Sequence, residues 1–288
     1  MAAKPRITIV GAGNLGRALG RSLRKAGYRV DAIVGKAQGE ALTRARLLAK
    51  ELGARAITTK RAEIEADIVW LCVPDAQIAN AAESLAATGS WKGRVALHSS
   101  GALSSDELSA LRRCGAVVAS IHPLMTFVRK SRPSLEGISF AMEGDPRAVR
   151  AARRIVQELG GTAHTIRRRD KAAYHAWGTF ASPLLTAFLA TTQRVAAGAG
   201  ARGKDARKRM LPILQQTLSN YMKLGAANSF SGPIVRGDVE IVKRHLLVLR
   251  EIPAAREVYV ALAKAALQYL PVKNRRLLRD VLDQRHRA

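Results

Sequence analysis

The sequence predicts an α/β fold: a doubly wound, mostly parallel sheet followed by an all-helical C-terminal region. Three observations carry that expectation. The run Gly11-Ala12-Gly13-Asn14-Leu15-Gly16 lies between an apolar β-branched strand, Ile7–Val10, and an amphipathic segment over residues 15–26. Strand and helix signals then alternate as far as residue 166, and several strands are continuous apolar runs, as in a sheet covered on both faces by helices. After Arg167-Arg168-Arg169 the strand signals stop, and Ala and Leu recur at helical spacing.

In order, strands are expected at residues 7–10, 29–34, 56–57, 68–73, 94–97, 117–121, 138–142 and 162–166. Between them, residues 38–52 place Leu42, Ala45, Leu48 and Ala49 on one helical face. Residues 145–159 carry Asp145 as N-cap, Pro146 at the first helical position and Gly160 as stop. Helices are expected at residues 171–197, kinked or split by Pro183, and at 204–224, 238–250, 253–269 and 273–284. The domains are therefore drawn as 1–166, nucleotide-binding, and 167–288, helical.

The chain has 288 residues, 48% of them hydrophobic, which describes a globular protein rather than a disordered one. No apolar run approaches the ~20 residues of a membrane-spanning helix. The N-terminus enters the first strand almost at once, with no secretion signal, so a cytoplasmic location is expected. Cys72 and Cys114 form no metal or redox spacing, and no metal is expected. The net charge of +26 divides into +10 over residues 1–150 and +16 over the rest. Such a field attracts nucleic acid, anionic membranes or anionic small molecules. Yet aromatic residues are few, and no recognition helix or stacking platform accompanies the charge.

A strand–turn–helix setting is what gives a GxGxxG run its meaning as a dinucleotide fingerprint. Gly11 allows the tight turn, Gly13 lets the backbone approach a pyrophosphate, and Gly16 lets the helix lie close to the strand. The phosphates would then meet free N–H groups, those of Asn14 and Leu15 included, at the positive end of a helix dipole. The second strand runs into Gly35-Lys36, with no carboxylate at its end to take ribose hydroxyls; Asp31 lies too early. Lys36 instead offers a charge to a 2′-phosphate, so NADP(H) is the expected cofactor. Val73-Pro74 ends the fourth strand and should line the same cleft.

The next two strands end in the polar clusters His98-Ser99-Ser100-Gly101 and His122-Pro123-Leu124. A hydride transfer needs an acceptor held against the nicotinamide and a group that moves a proton. His122 is the candidate acid/base and Ser100 the residue that orients the substrate; a structural strand-end histidine is the alternative for His122. His98 and Gly101 are placed on the substrate side, with backbone bonding at the strand end as the plainer role for His98. His175 reads by itself as a satisfied core or cap histidine of a helix. Ser231-Gly232-Pro233 leads to Asp238, either as a capped turn or, with Arg236, as a carboxylate site.

Together with Tyr174-His175-Ala176 and Ser231-Gly232-Pro233-Ile234-Val235-Arg236-Gly237-Asp238, these motifs make the chain recognisable. It resembles the family that joins a Rossmann-like NADP-binding domain to a C-terminal helical domain of unknown function. It is more distantly similar to pyrroline-5-carboxylate reductase, the 6-phosphogluconate dehydrogenase type and prephenate/arogenate dehydrogenases. The resemblance implies a Rossmann-type domain and an oxidoreductase, and names no reaction; residues and resemblance together read as hydride transfer to or from a small, carboxylate-bearing carbonyl or imine at a cleft between two domains. The resemblance also implies a homodimer through the helical domain, and it alone raises His175 to a second polar wall. Leu124-Met125-Thr126-Phe127 departs from the prephenate type, which carries a Gly-containing continuation after its His-Pro pair. Two rivals stand beside this reading: a non-catalytic NADP(H) sensor, and a nucleic-acid-binding protein built on the positive charge.

Overall fold

The computed structural model describes residues 3–58 and 64–284, so His286 lies outside the described residues. Two compact units are formed, Met1–Phe180 and Ala181–Ala288. In the first, β-branched and leucine-rich runs form β1 (Ile7–Val10), β2 (Val30–Gly35), β3 (Arg55–Thr58), β4 (Ile68–Leu71), β5 (Val95–His98), β6 (Val117–Pro123), β7 (Ser139–Gly144) and β8 (Thr162–Thr165). They pair in the order β3-β2-β1-β4-β5-β6-β7-β8. Every pair is parallel except β6 with β7. The outcome is a mostly parallel mixed sheet, followed by an all-helical region.

The helices of this unit are α1 (Asn14–Lys25), α2 (Glu40–Leu52), α3 (Ile78–Ala86), α4 (Ser109–Arg113), α5 (Pro146–Glu158) and α6 (Lys171–Thr179). One face of the sheet packs Ile9, Ile33 and Trp70 with Leu19 and Leu23 of α1, Leu48 of α2 and Ile155 of α5. The other face packs Val34, Val69 and Leu71 with Ile78 and Leu85 of α3 and Leu111 of α4. Burial on both faces explains why β1, β2, β4 and β5 are buried at every position. Removing side chains of this size from water stabilises a fold by about 1.5–3 kcal/mol each.

The division between units falls after α6, whereas the sequence suggested residue 166. Lys171 and Tyr174 account for the difference, because both are buried within the first unit. Arg168, from the basic linker, is anchored there too: its guanidinium donates to Glu143, 3.2 Å away, and to Asp106, 2.8 Å away. Asp145 sits at the cap position of α5, but its carboxylate accepts from the amide of Val118 and from Arg112 instead of capping the helix.

The second unit contains α7 (Leu185–Gly198), α8 (Gly203–Ser229), α9 (Pro233–Arg236), α10 (Val239–Val248), α11 (Pro253–Tyr269) and α12 (Arg275–Asp283). Pro183 lies in the π-helical turn over residues 180–184 that separates α6 from α7, as its missing N–H requires. Gly225, at φ 74° and ψ 173°, breaks α8 just beyond the expected end at Leu224. Val242, Leu246, Leu267, Leu278 and Val281 form the core of this unit. By contrast α8 buries only Ala206, and leaves Leu211, Ile213, Leu218, Tyr221, Met222 and Leu224 exposed. Among the described residues, no helix is long and apolar enough to cross a membrane.

Candidate functional site

A cleft of about 480 Å³ opens at the carboxyl ends of β1, β2 and β4, where the strand order reverses. Gly11, Gly13, Gly35, Lys36, Val73 and Pro74 line it, all of them expected from the sequence. Gly11 has φ +101°, and a Cβ there would stand 2.8 Å from the Cys72 carbonyl oxygen. A Cβ on Gly16 would lie 2.1 Å from the Gly11 carbonyl oxygen, so the turn and α1 approach as closely as the motif predicts. At Gly13 the nearest atom to such a Cβ is 3.9 Å away, which leaves the space above the turn open to a ligand.

Helix geometry supplies the donors. The first α1 amide with a backbone acceptor is that of Arg17, which reaches the Gly13 carbonyl at 3.0 Å. The amides of Asn14, Leu15 and Gly16 precede it and have no acceptor within the helix. The side chain of Asn14 is used otherwise: its amide nitrogen donates to the Phe127 carbonyl, 3.0 Å away, and fastens the loop after β6 across the start of α1. Leu15 and Gly16 do not line the cleft, and their contribution is backbone and close packing.

At the β2 end the cleft holds two cations, Lys36 and Arg44, and Arg44 was not foreseen. It stands on the first turns of α2, paired with Glu40 at 2.7 Å. Its only sequence signal is its place one helical turn after Glu40 in the element following β2. Asp31 is held away from the cleft by Arg55 at 3.0 Å and Arg29 at 3.4 Å. These residues fit a dinucleotide bearing a 2′-phosphate, with a Cβ-free cradle, amides unpaired within the helix and two cations at the β2 end of the cleft.

The second cluster lies at the ends of β5 and β6. His122 is half-buried, and its Nδ1 is 3.1 Å from the Tyr174 hydroxyl of α6. The two rings meet edge to face at 5.4 Å, and the His175 ring stands 6.2 Å from His122. A Cβ on Gly101 would come within 2.8 Å of both His122 Nε2 and His175 Cδ2. Gly101, His122 and His175 are therefore brought together, as the sequence suggested. Burial, followed by the charge of Lys171, lowers the His122 pKa from 6.5 to about 4. Burial pushes Tyr174 up to about 12. The pair is thus uncharged at neutral pH.

His98 takes the strand-end, backbone-bonding role that was its plainer reading and not a substrate-side one, and the Ser100 hydroxyl is engaged by the protein instead of facing a substrate. His98 is fully buried; its Nδ1 accepts from the Ser100 amide at 3.1 Å and its Nε2 donates to the Ser104 carbonyl at 2.9 Å. Burial lowers its pKa to about 4, so the ring is neutral and both nitrogens serve the backbone. The Ser100 hydroxyl donates to Asp75 at 2.8 Å and accepts from the amides of Ala102 and Leu103. The chain turns sharply after β5, and these two side chains satisfy amides that the turn leaves unpaired.

Lys171, which sequence reasoning missed, is 1% exposed. Its ammonium donates to Ser120 Oγ at 2.7 Å and to the Ser100 carbonyl at 3.1 Å. Burial lowers its pKa, while Glu143 and Asp75 oppose that change. In the second unit, Gly232 adopts φ +100° ahead of Pro233, the first residue of α9. Arg236, the cation expected to take a substrate carboxylate, is paired with Asp238 at 2.7 Å. Asp238 therefore faces Arg236 and makes no side-chain capping bond to α10. Ser231 precedes this turn and makes no side-chain hydrogen bond among the described residues.

Residues 1–123 match a Rossmann-like domain model, and residues 138–266 match a domain of unknown function, DUF2520. No curated protein sequence matches the chain. Among solved structures, a Thermotoga maritima protein is similar at 26% identity and TM-score 0.69, over 96% of this chain and 98% of its own. A reductive aminase from Aspergillus terreus, in complex with NADPH and ethyl-5-oxohexanoate, shares the fold at 15% identity and TM-score 0.67, over 92% of this chain and 94% of its own. The pyrroline carboxylate reductase of Plasmodium falciparum, with NADP bound, does so at 13% identity and TM-score 0.57, over 91% and 97%. The chain therefore pairs a Rossmann-like N-terminal domain with a C-terminal DUF2520 domain.

Proposed function

We propose that the protein is an NADP(H)-dependent oxidoreductase acting on a small carbonyl or imine. The observation that carries this reading is the amide cradle at the start of α1 in a cleft that also holds Lys36 and Arg44. The aminase and the reductase that share this fold and contain NADPH or NADP support the same cofactor. When bound, the nicotinamide supplies or accepts a hydride. The chain's own residues handle the proton. His122 packs its Nε2 against Gly101, so closely that a Cβ there would stand 2.8 Å from it. Tyr174 holds the opposite ring nitrogen and so fixes the ring's direction. With its pKa near 4, His122 accepts a proton from an alcohol or amine in the oxidative direction. In the reductive direction the same ring acts as imidazolium and returns that proton to the nascent oxygen or nitrogen, reverting to neutral imidazole.

Titrating NADPH and NADH into the protein tests the cofactor assignment. NADPH is expected to bind more tightly. Replacing Lys36 and Arg44 by alanine should weaken NADPH by about tenfold and leave NADH almost unchanged, as for loss of a charge-assisted hydrogen bond. Tighter NADH binding, or no affinity for either, would remove the proposal. NADPH oxidation across a panel of imines, aldehydes and keto acids then identifies the substrate class.

We also infer that a second copy of the chain covers the apolar side chains of α8. A helix with one buried residue and six large exposed apolar ones is unstable without a partner surface. Sedimentation should show a dimer, and Leu218→Glu with Met222→Glu should yield monomer. A wild-type monomer would refute this.

A further inference from the structure

Beside the dinucleotide cleft, but sharing no lining residue with it, lies a second hollow of about 250 Å³. Its wall is made by Arg17 and Arg21 of α1 and by Arg129, Lys130, Ser131 and Arg132 of the loop after β6. Asn14 fixes that loop over the helix through its bond to the Phe127 carbonyl, so the two cationic segments are held facing one another.

The charge balance is one-sided. Arg21 is neutralised by Glu51, which it meets at 2.5 and 3.0 Å. Arg17 and Arg132 also lower the Glu51 pKa, which places both within its reach. No other carboxylate is paired with this group of cations among the described residues. The side chains of Arg17, Arg129, Lys130 and Arg132 have neither a hydrogen-bond acceptor nor an ion-pair partner among those residues. Five cations are thus held around one small volume with Glu51 as the single carboxylate near them among the described residues. Their mutual repulsion costs stability unless an anion joins them.

The lining also says what kind of anion fits. Guanidinium groups match phosphate oxygens two at a time, while the Ser131 hydroxyl donates to the Val128 carbonyl, 3.2 Å away, and braces the loop. The lining carries no aromatic ring, and Val128 and Ala18 are its only aliphatic residues, so it offers no platform for a nucleobase. A multiply charged, compact group is required. We propose that this hollow is a binding site for a phosphoryl anion of diphosphate size, separate from the dinucleotide cleft. The group belongs either to a free anion or to an arm of a larger phosphorylated metabolite.

Calorimetric titration of inorganic pyrophosphate at physiological salt tests the assignment without any need for NADPH, so it stands or falls apart from the cofactor proposal. The proteins compared are the wild type, Arg17→Ser with Arg132→Ser, and Lys36→Ala with Arg44→Ala. Pyrophosphate should bind the wild type and the cleft variant equally, and at least tenfold more weakly to the hollow variant, with the melting temperature unchanged. An affinity unaltered in the hollow variant would overturn the site. So would loss of NADPH and pyrophosphate together in that variant, since the hollow would then be part of the dinucleotide cleft. No binding of pyrophosphate to the wild type at that salt would reduce the cluster to a solvated basic turn. Duplex DNA binding lost in the hollow variant, with no pyrophosphate affinity, would assign the charge to nucleic acid instead. Adding glycerol 2-phosphate and inorganic phosphate as probes separates an esterified arm from a free anion.

Discussion

His122→Ala is expected to lower turnover by about 10²- to 10⁴-fold, the usual contribution of a positioned acid or base. NADPH affinity should stay the same, because His122 does not line the dinucleotide cleft. The separation of the two readouts matters. A loss of turnover and cofactor binding together would indicate a disturbed fold, whereas loss of turnover alone isolates proton handling. His122→Asn sharpens the comparison, since an amide retains one donor but cannot exchange a proton near neutral pH. Full turnover in both variants, on whichever carbonyl or imine drives NADPH oxidation, would take His122 out of the mechanism. Tyr174→Phe should have a smaller effect, because it removes only the bond at Nδ1 that holds the ring.

The nucleotide half of the candidate site was legible because its residues act through backbone geometry. Gly11 and Gly16 are constrained by distances that any side chain violates, and such constraints leave glycine at fixed spacing in a sequence. Strands buried on both faces likewise leave uninterrupted apolar runs, and the expected strands lie within two residues of those observed. Side-chain roles were less legible. Ser100 looks like a reactive polar residue at a strand end, yet the tight turn after β5 uses it to satisfy its own amides, as it uses His98 in the backbone-bonding role expected of that residue. Arg44 and Lys171 are cations in a chain with 48 lysines and arginines, and nothing in local spacing distinguishes the few with structural or binding roles. Lys171 stands just after a basic linker, at the start of the helix expected over residues 171–197, where nothing sets it apart from a solvated first-turn lysine. Only tertiary packing shows that α6 carries it into the first unit. The basic hollow was hidden in the same way, since Arg17 and Arg132 are distant in sequence and are joined by a loop that Asn14 fixes.

Lys171→Met tests whether that buried cation tunes the site or only fills space. Among the charges around His122, Lys171 has the largest effect and keeps its pKa low; His175 and His98 act the same way and Asp75 opposes them. With the ammonium gone, His122 should titrate higher than its wild-type value of about 4, by on the order of one unit, without reaching 6.5 because burial remains. The sign follows from charge: a neighbouring cation disfavours imidazolium, so its removal favours protonation. The acid limb of oxidative turnover should move to higher pH by the same amount, since only neutral His122 accepts a proton. An NMR titration of the imidazole reads the shift directly and needs no substrate. Folding stability should change by no more than about 2 kcal/mol, because the Ser100 carbonyl loses a donor while the cost of burying an ammonium disappears. Lys171→Arg keeps the charge and should leave the His122 midpoint near the wild-type value. If the midpoint stays put in the methionine variant as well, the lysine serves only Ser100 and Ser120, and the neutrality of His122 comes from burial alone.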